Sequence, residues 1–176
     1  MAYWNTRELR GSAFEELINM TNKLYQQHQL AVIQKVPTPI TPIEVNNARH
    51  VITTAYFEKK STVDYIGAAQ GYPLCFDAKE TQYNNLPLRN IHEHQLEFME
   101  AFKQQKGVSF LLVRFKKTDE IFFLPLETIL AFHSNAAEGK RKSIPYDAFE
   151  KRYIVLNKSG FPVHYLEAVR LYINSN

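Results

Sequence analysis

The stretch that decides the fold reads Ser61-Thr62-Val63-Asp64-Tyr65-Ile66-Gly67, followed by Leu74-Cys75-Phe76-Asp77-Ala78-Lys79-Glu80. Residues two apart in a strand share a face, so Asp77 and Lys79 project together while Ala78 turns into the core. Phe76 and Ala78 alternate with them, which is the pattern of a half-buried strand. A turn spanning Gly67 to Gly71 then separates two predicted strands, residues 62–66 and 73–79. If Asp64 starts the first strand, its carboxylate meets that of Asp77. Thr62 lies two before Asp64, so in an extended segment its hydroxyl falls on the same side.

Two carboxylates hold a divalent cation through hard oxygens, and magnesium takes only a few protein ligands. Such a cation absorbs the charge that builds on a phosphodiester during cleavage and lowers the pKa of bound water. Lys79 adds a fixed positive charge beside the phosphate, or helps to orient the attacking water. From spacing alone, an exposed strand face with an i, i+2 ion pair is the better reading. The apolar run Leu74-Cys75-Phe76 shifts that balance, because it sets Asp77 at the edge of a core.

Working outward, residues 12–29 read as a helix with Phe14, Leu17, Ile18, Thr21, Leu24 and Tyr25 on one face. Ser12 and Glu15 match a capping box, and Glu15 could also approach the metal site as an extra acid. Residues 1–10 form an arm carrying Arg7 and Arg10. A short strand is expected over 31–35. Pro37, Pro39 and Pro42 then forbid regular helix. Residues 37–60 read as a projecting excursion with a strand pair at 40–45 and 50–57. Later elements are a helix at 92–105, strands at 108–115 and 120–124, and a helix at 126–132. A basic turn at 139–145, a helical turn at 147–151 and a helix at 165–172 complete the chain.

The 176 residues predict one domain, 45% hydrophobic and 22% charged, with net charge +3. No apolar run approaches a membrane span, and the first residues do not form a signal peptide. The single cysteine excludes an internal disulfide and a cysteine-rich zinc site. A cytoplasmic, nucleoid-associated protein is expected. His92 and His94, two apart on a helix, should point to different sides and make a surface or DNA-facing pair rather than a zinc site. Phosphate-contact candidates are Arg10, Lys35, Arg49, Lys59, Lys60 and the run Lys140-Arg141-Lys142, which alone reads equally as a solvated loop. No phosphate-binding loop, dinucleotide fingerprint or nucleophile elbow is present.

The chain resembles the RecU-type Holliday junction resolvases over almost its whole length. The markers are Gly11-Ser12-Ala13-Phe14-Glu15-Glu16-Leu17-Ile18-Asn19, Ala31 to Ile40, Ser61 to Tyr65, Phe76 to Thr81, Pro87 to Gln95 and Arg141 to Ile144, in that order. The resemblance implies an α/β restriction-endonuclease-like core, a central mixed sheet flanked by helices, with the proline-rich excursion as a stalk. It implies a homodimer that resolves four-way DNA by paired symmetric nicks with Mg2+ (or Mn2+), in recombination and repair, and contact with the RecA recombinase. Carried over by position, Thr62, Asp64, Asp77 and Gln95 hold the metal, and Lys79 stabilises the transition state. Two positions depart: Asp77 stands where the family usually has Glu, and Cys75 where it usually has an acid. The alternatives are a structure-tolerant DNA endonuclease of the same fold, and a non-cleaving junction-binding accessory that modulates RecA.

Overall fold

The computed structural model describes residues 13–57 and 62–175. The expected arm, the cap residue Ser12, Arg10, Lys59 and Lys60 lie outside them. Helix α1 (Ala13–Gln27) leads into β1 (Ala31–Lys35), then β2 (Ile40–Asn46) and β3 (Val51–Phe57). Next come β4 (Tyr65–Ala69), β5 (Tyr72–Thr81), β6 (Asn85–Pro87) and α2 (Glu93–Gln104). The rest is β7 (Val108–Phe115), β8 (Glu120–Pro125), α3 (Leu126–Ala137), β9 (Ser143–Pro145), β10 (Ile154–Val155) and α4 (Leu166–Ser175).

Six strands form one mixed sheet in the order β1-β4-β5-β7-β8-β10. Only β5 and β7 run parallel; the other neighbours are antiparallel. The helices cover both faces, as expected for the α/β core. One face carries Phe14, Ile18 and Tyr25 of α1 and Ala168 and Val169 of α4 over Phe76, Phe110 and Leu112. The other carries Leu96 and Met99 of α2 and Ile129 of α3 over Cys75, Leu111 and Val113. Burial on both faces explains why Phe110-Leu111-Leu112-Val113 is continuously apolar.

Aromatic rings run across four strands on the α1 face. Tyr65 stacks on Phe76 (centroids 4.7 Å apart), Phe76 on Phe110 (4.8 Å), and Phe110 meets Phe123 at 4.5 Å. Such pairs add about 0.5–1.5 kcal/mol each beyond their buried area. They stiffen the sheet directly behind Asp77.

The β4–β5 hairpin corrects one expectation. Its turn is only Gln70-Gly71, with φ of 49° and 88°, the left-handed pair that a two-residue turn needs. Gly67 belongs to β4 instead. It is required there by close approach, since a Cβ would sit 2.1 Å from the Val32 carbonyl oxygen of β1. A second correction concerns Asp64, which ends the bend before β4 rather than starting the strand.

The excursion forms an antiparallel ribbon, β2 with β3, in a sheet of its own. Pro42 and Glu44 bracket a register shift. Ile40, Ile43, Val45, Val51, Ile52 and Tyr56 are all exposed on it. Helix α3 runs five residues beyond the expected 126–132, to Ala137. No helix among the described residues is long and apolar enough to cross a membrane.

Candidate metal centre

Asp77 and Lys79 leave β5 on its α2 face, beside Leu111 and Val113 of β7. Ala78 packs into the opposite layer, as the alternation predicts. Asp77 is fully buried and its two oxygens are separately engaged. Oδ1 accepts the Asp64 backbone N–H at 2.9 Å. Oδ2 accepts Gln95 Nε2 at 2.9 Å and pairs with the Lys79 ammonium. Asp64 Oδ2 in turn accepts the Ala78 N–H at 3.1 Å. The two segments are therefore cross-laced: each carboxylate takes a backbone N–H from the other's neighbourhood.

The loop holding Asp64 is clamped from β1 as well, where Val36 N–H donates to the Asp64 carbonyl at 2.8 Å. One residue on, the Tyr65 hydroxyl donates to Asn19 Oδ1 of α1 at 3.0 Å. Burial, and then the charge of Asp77, push the Asp64 carboxyl up to about 7. Two carboxylates crowded out of water cannot both ionise cheaply. A cation between them would relieve that cost, so Asp64 and Asp77 are the side chains that could hold one.

Gln95, on the first turn of α2, is 7% exposed. Its Nε2 points at Asp77, while its Oε1 accepts the His92 backbone N–H at 3.1 Å and Lys79 Nζ at 3.3 Å. The carboxamide thus ties the helix start to the acid and the lysine together. For Gln95 to ligate a cation, that oxygen would have to exchange these two donors. Thr62 is half-buried in the bend before Asp64, and none of the described hydrogen bonds joins its hydroxyl to the carboxylates. Among the described residues no three His, Cys, Asp or Glu side chains gather in a group that could hold a metal ion.

Cys75, two residues before Asp77, is buried, and its sulfur lies 3.3 Å from Ser109 Oγ. Burial pushes its thiol up to about 12, so it enters as a neutral group. The Ser109 hydroxyl donates onward to the Met99 carbonyl of α2 at 2.8 Å. That bond ties the helix over the site to β7.

The expected separation of His92 and His94 does not occur. His92 is the N-cap of α2, with extended φ of −83° and ψ of 146°, so helical spacing does not apply to it. The two rings stack, with centroids 5.4 Å apart and 12° between planes. A groove of about 890 Å³ opens beside them, lined by Arg89, Lys142, Leu96 and Leu130 among others.

Of the basic candidates, Lys35, the last residue of β1, pairs with Glu15 of α1. Arg49 is exposed at the turn of the β2–β3 ribbon. Lys140 is occupied by Glu138 and Asn135, and Arg141 Nε donates to Ser143 Oγ. Sequence reasoning did not identify the link from His92 through Gln95 to Asp77. Its signal was a cap-to-N3 spacing with Gln at N3, disguised by a histidine at the cap.

Among curated proteins, a Holliday junction resolvase RecU of Streptococcus agalactiae is 40% identical over 165 residues, covering 91% of this chain and 82% of its own. The protein of that name from Oceanobacillus iheyensis is 40% identical, covering 91% and 81%. A solved structure of Archaeoglobus fulgidus Hjc, a Holliday junction resolvase, overlays 79% of this chain and 91% of that one at 12% identity and a TM-score of 0.46. The family model for recombination protein U matches residues 9–171, and the chain belongs to that RecU family.

Proposed function

We propose that this chain is a magnesium-dependent endonuclease that resolves four-way DNA junctions by paired symmetric nicks. One observation carries the site assignment: buried Asp77 binds the Asp64 backbone and the Lys79 ammonium on one face of the sheet. The curated relatives named Holliday junction resolvase RecU support the substrate. In this reading the protein acts in the cytoplasm, with the nucleoid.

The residues fit a magnesium ion. Their donors are hard carboxylate oxygens, and the raised Asp64 pKa marks a site short of positive charge. Asp64 and Asp77 would hold the ion, with Thr62 and Gln95 contributing neutral oxygens after Gln95 turns from His92. When bound, it supplies charge neutralisation at the phosphate and a polarised water. The rest falls to the chain. Cross-lacing of Asp64 and Asp77 fixes the two carboxylates before substrate arrives, so the rearrangement on binding falls to Gln95 and Lys79. Lys79, released from Asp77, lies against the phosphate and stabilises the charge of the transition state.

Two nicks at equivalent strands require two centres related by a two-fold axis, hence a homodimer. The β2–β3 ribbon would act as a stalk over the DNA, with Arg49 at its tip, while Lys35 and Lys142 contact phosphates. Contact with the RecA recombinase belongs to the same reading. A panel of mobile junction, flap and linear duplex in Mg2+ tests it: junction should be cut in strong preference. Equal cutting of duplex would make the chain a structure-tolerant nuclease. Junction binding without nicking in both Mg2+ and Mn2+ would make it an accessory.

A further inference from the structure

Helices α2 and α3 leave between them a groove of about 890 Å³ that plays no part in the centre described above. Leu88, Ile91, Leu96 and Leu130 make its lining apolar. On the α3 side Ala136 and Ala137 are small, which leaves room for an occupant. His133 Nε2, on the same side, is buried with no hydrogen-bond partner among the described residues. A polar group in the groove would relieve that cost once the ring turned to it. The α2 side is acidic. Glu93, Glu97 and Glu100 line it at i, i+4 and i+7, so they form one row about 10 Å long. All three are exposed, and none enters an ion pair among the described residues. Arg89 and Lys142 stand at one end, where the Leu88 N–H donates to the Lys142 carbonyl at 3.1 Å. That is the end where α2 begins and Gln95 reaches Asp77.

We propose that this groove docks an amphipathic helix of a partner protein, with its apolar stripe against Leu96 and Leu130 and a row of Lys or Arg facing Glu93, Glu97 and Glu100. The inference does not rest on the four-way DNA reading. Charge decides the occupant. A phosphate backbone suits the Arg89 and Lys142 end but is repelled along the acidic row. A helix lying beside α2 repeats at the same spacing, so bases at i, i+4 and i+7 on its flank meet the three carboxylates in register. No described helix of a second copy offers that face. Helix α1 carries only Lys23, α2 only Lys103 and α4 only Arg170, and α3 has neither Lys nor Arg. The occupant would lie directly against the helix whose first turn touches Asp77 and Lys79.

The test selects binders of the full chain from a phage-displayed library of randomised helical peptides, then measures the best peptide by fluorescence anisotropy. Selected sequences should converge on apolar residues at i, i+3 or i+4, and i+7, flanked by Lys or Arg. Glu97→Lys should weaken that peptide about tenfold, and a Lys→Glu change in the peptide should restore its binding to this variant alone. Ala136→Trp, which fills the groove, should abolish binding; should that variant fail to fold, the exposed Glu97 still decides the matter. A library that yields no such pattern, a peptide indifferent to Glu97→Lys, or a charge swap that restores nothing overturns the proposal. So does a change of oligomeric state in either folded variant by sedimentation, which would make the groove an interface between copies. Loss of junction binding in Ala136→Trp would give the groove to DNA and overturn it equally.

Discussion

Replacing Asp64 with asparagine should make the metal-free protein more stable, although it removes a proposed metal ligand. Burial and the charge of Asp77 raise the Asp64 pKa from 3.8 to about 7. In an acid with a raised folded-state pKa, the neutral form is the one the fold favours. Between about pH 4 and 7 the unfolded chain has lost this proton and the folded chain has kept it. Stability therefore falls as pH rises through that window, and the loss is complete above 7. Three pKa units correspond to roughly 4 kcal/mol at most. Asparagine removes the repulsion but also weakens the bond to the Ala78 N–H, a charge-assisted one in the wild type. A net gain of about 2 kcal/mol at pH 8 is expected, or about 4–8 °C in Tm for a chain of this size. Thermal unfolding in EDTA at pH 5 and pH 8 measures it. The advantage of Asp64→Asn should be large at pH 8 and shrink towards zero at pH 5. A variant no more stable than wild type at pH 8, or an advantage independent of pH, refutes the argument that the two carboxylates repel each other in the fold.

Other expectations follow from the same geometry. Mg2+ at ten times its Kd should stabilise the wild type by about 1.4 kcal/mol and leave the Tm of Asp64→Asn unchanged, read by the same thermal scan with and without metal. Lys79→Ala should slow junction nicking by about 100- to 1,000-fold while a gel-shift assay shows junction binding retained. Gly67→Ala should cost about 3 kcal/mol in urea unfolding, since its Cβ would meet the Val32 oxygen of β1 at 2.1 Å. Phe110→Ala, in the centre of the aromatic row, should cost about 3–5 kcal/mol by the same measurement.

What the sequence disclosed and what it concealed divide along a physical line. Strand β5 was legible because Phe76 and Ala78 alternate with Asp77 and Lys79, and a period of two is a local signal. The ribbon was legible because Pro37, Pro39 and Pro42 exclude helix while Ile43, Val45, Val51 and Ile52 favour strand. Strands β6, β9 and β10 are two or three residues long and exist only through distant partners, such as Asn85 against Pro145. No periodicity can announce them. Gly67 looked like a turn residue, and only the approach of β1 shows that it serves close packing inside a strand.

The site shows the same division. Asp64, Asp77 and Lys79 could be nominated from spacing and flanking residues. How Gln95 engages them could not, because its bonds cross from α2 to β5. The histidines misled for a sharper reason. Helical spacing assigns His92 and His94 to different sides, but His92 sits at the cap in extended conformation, and its ring swings back onto His94. Cys75 is a further case. It stands where the family usually has an acid, and its sulfur lies against Ser109 in the core between sheet and α2, a contact that no local pattern announces.

The most direct test of the account is cleavage of a mobile four-way junction in Mg2+, with products mapped on all four strands. Paired nicks at symmetric positions on two opposing strands, lost in both Asp64→Asn and Lys79→Ala, are the predicted result. Nicking near the wild-type rate in either variant, or cuts scattered over all four strands and equally frequent on linear duplex, would contradict it.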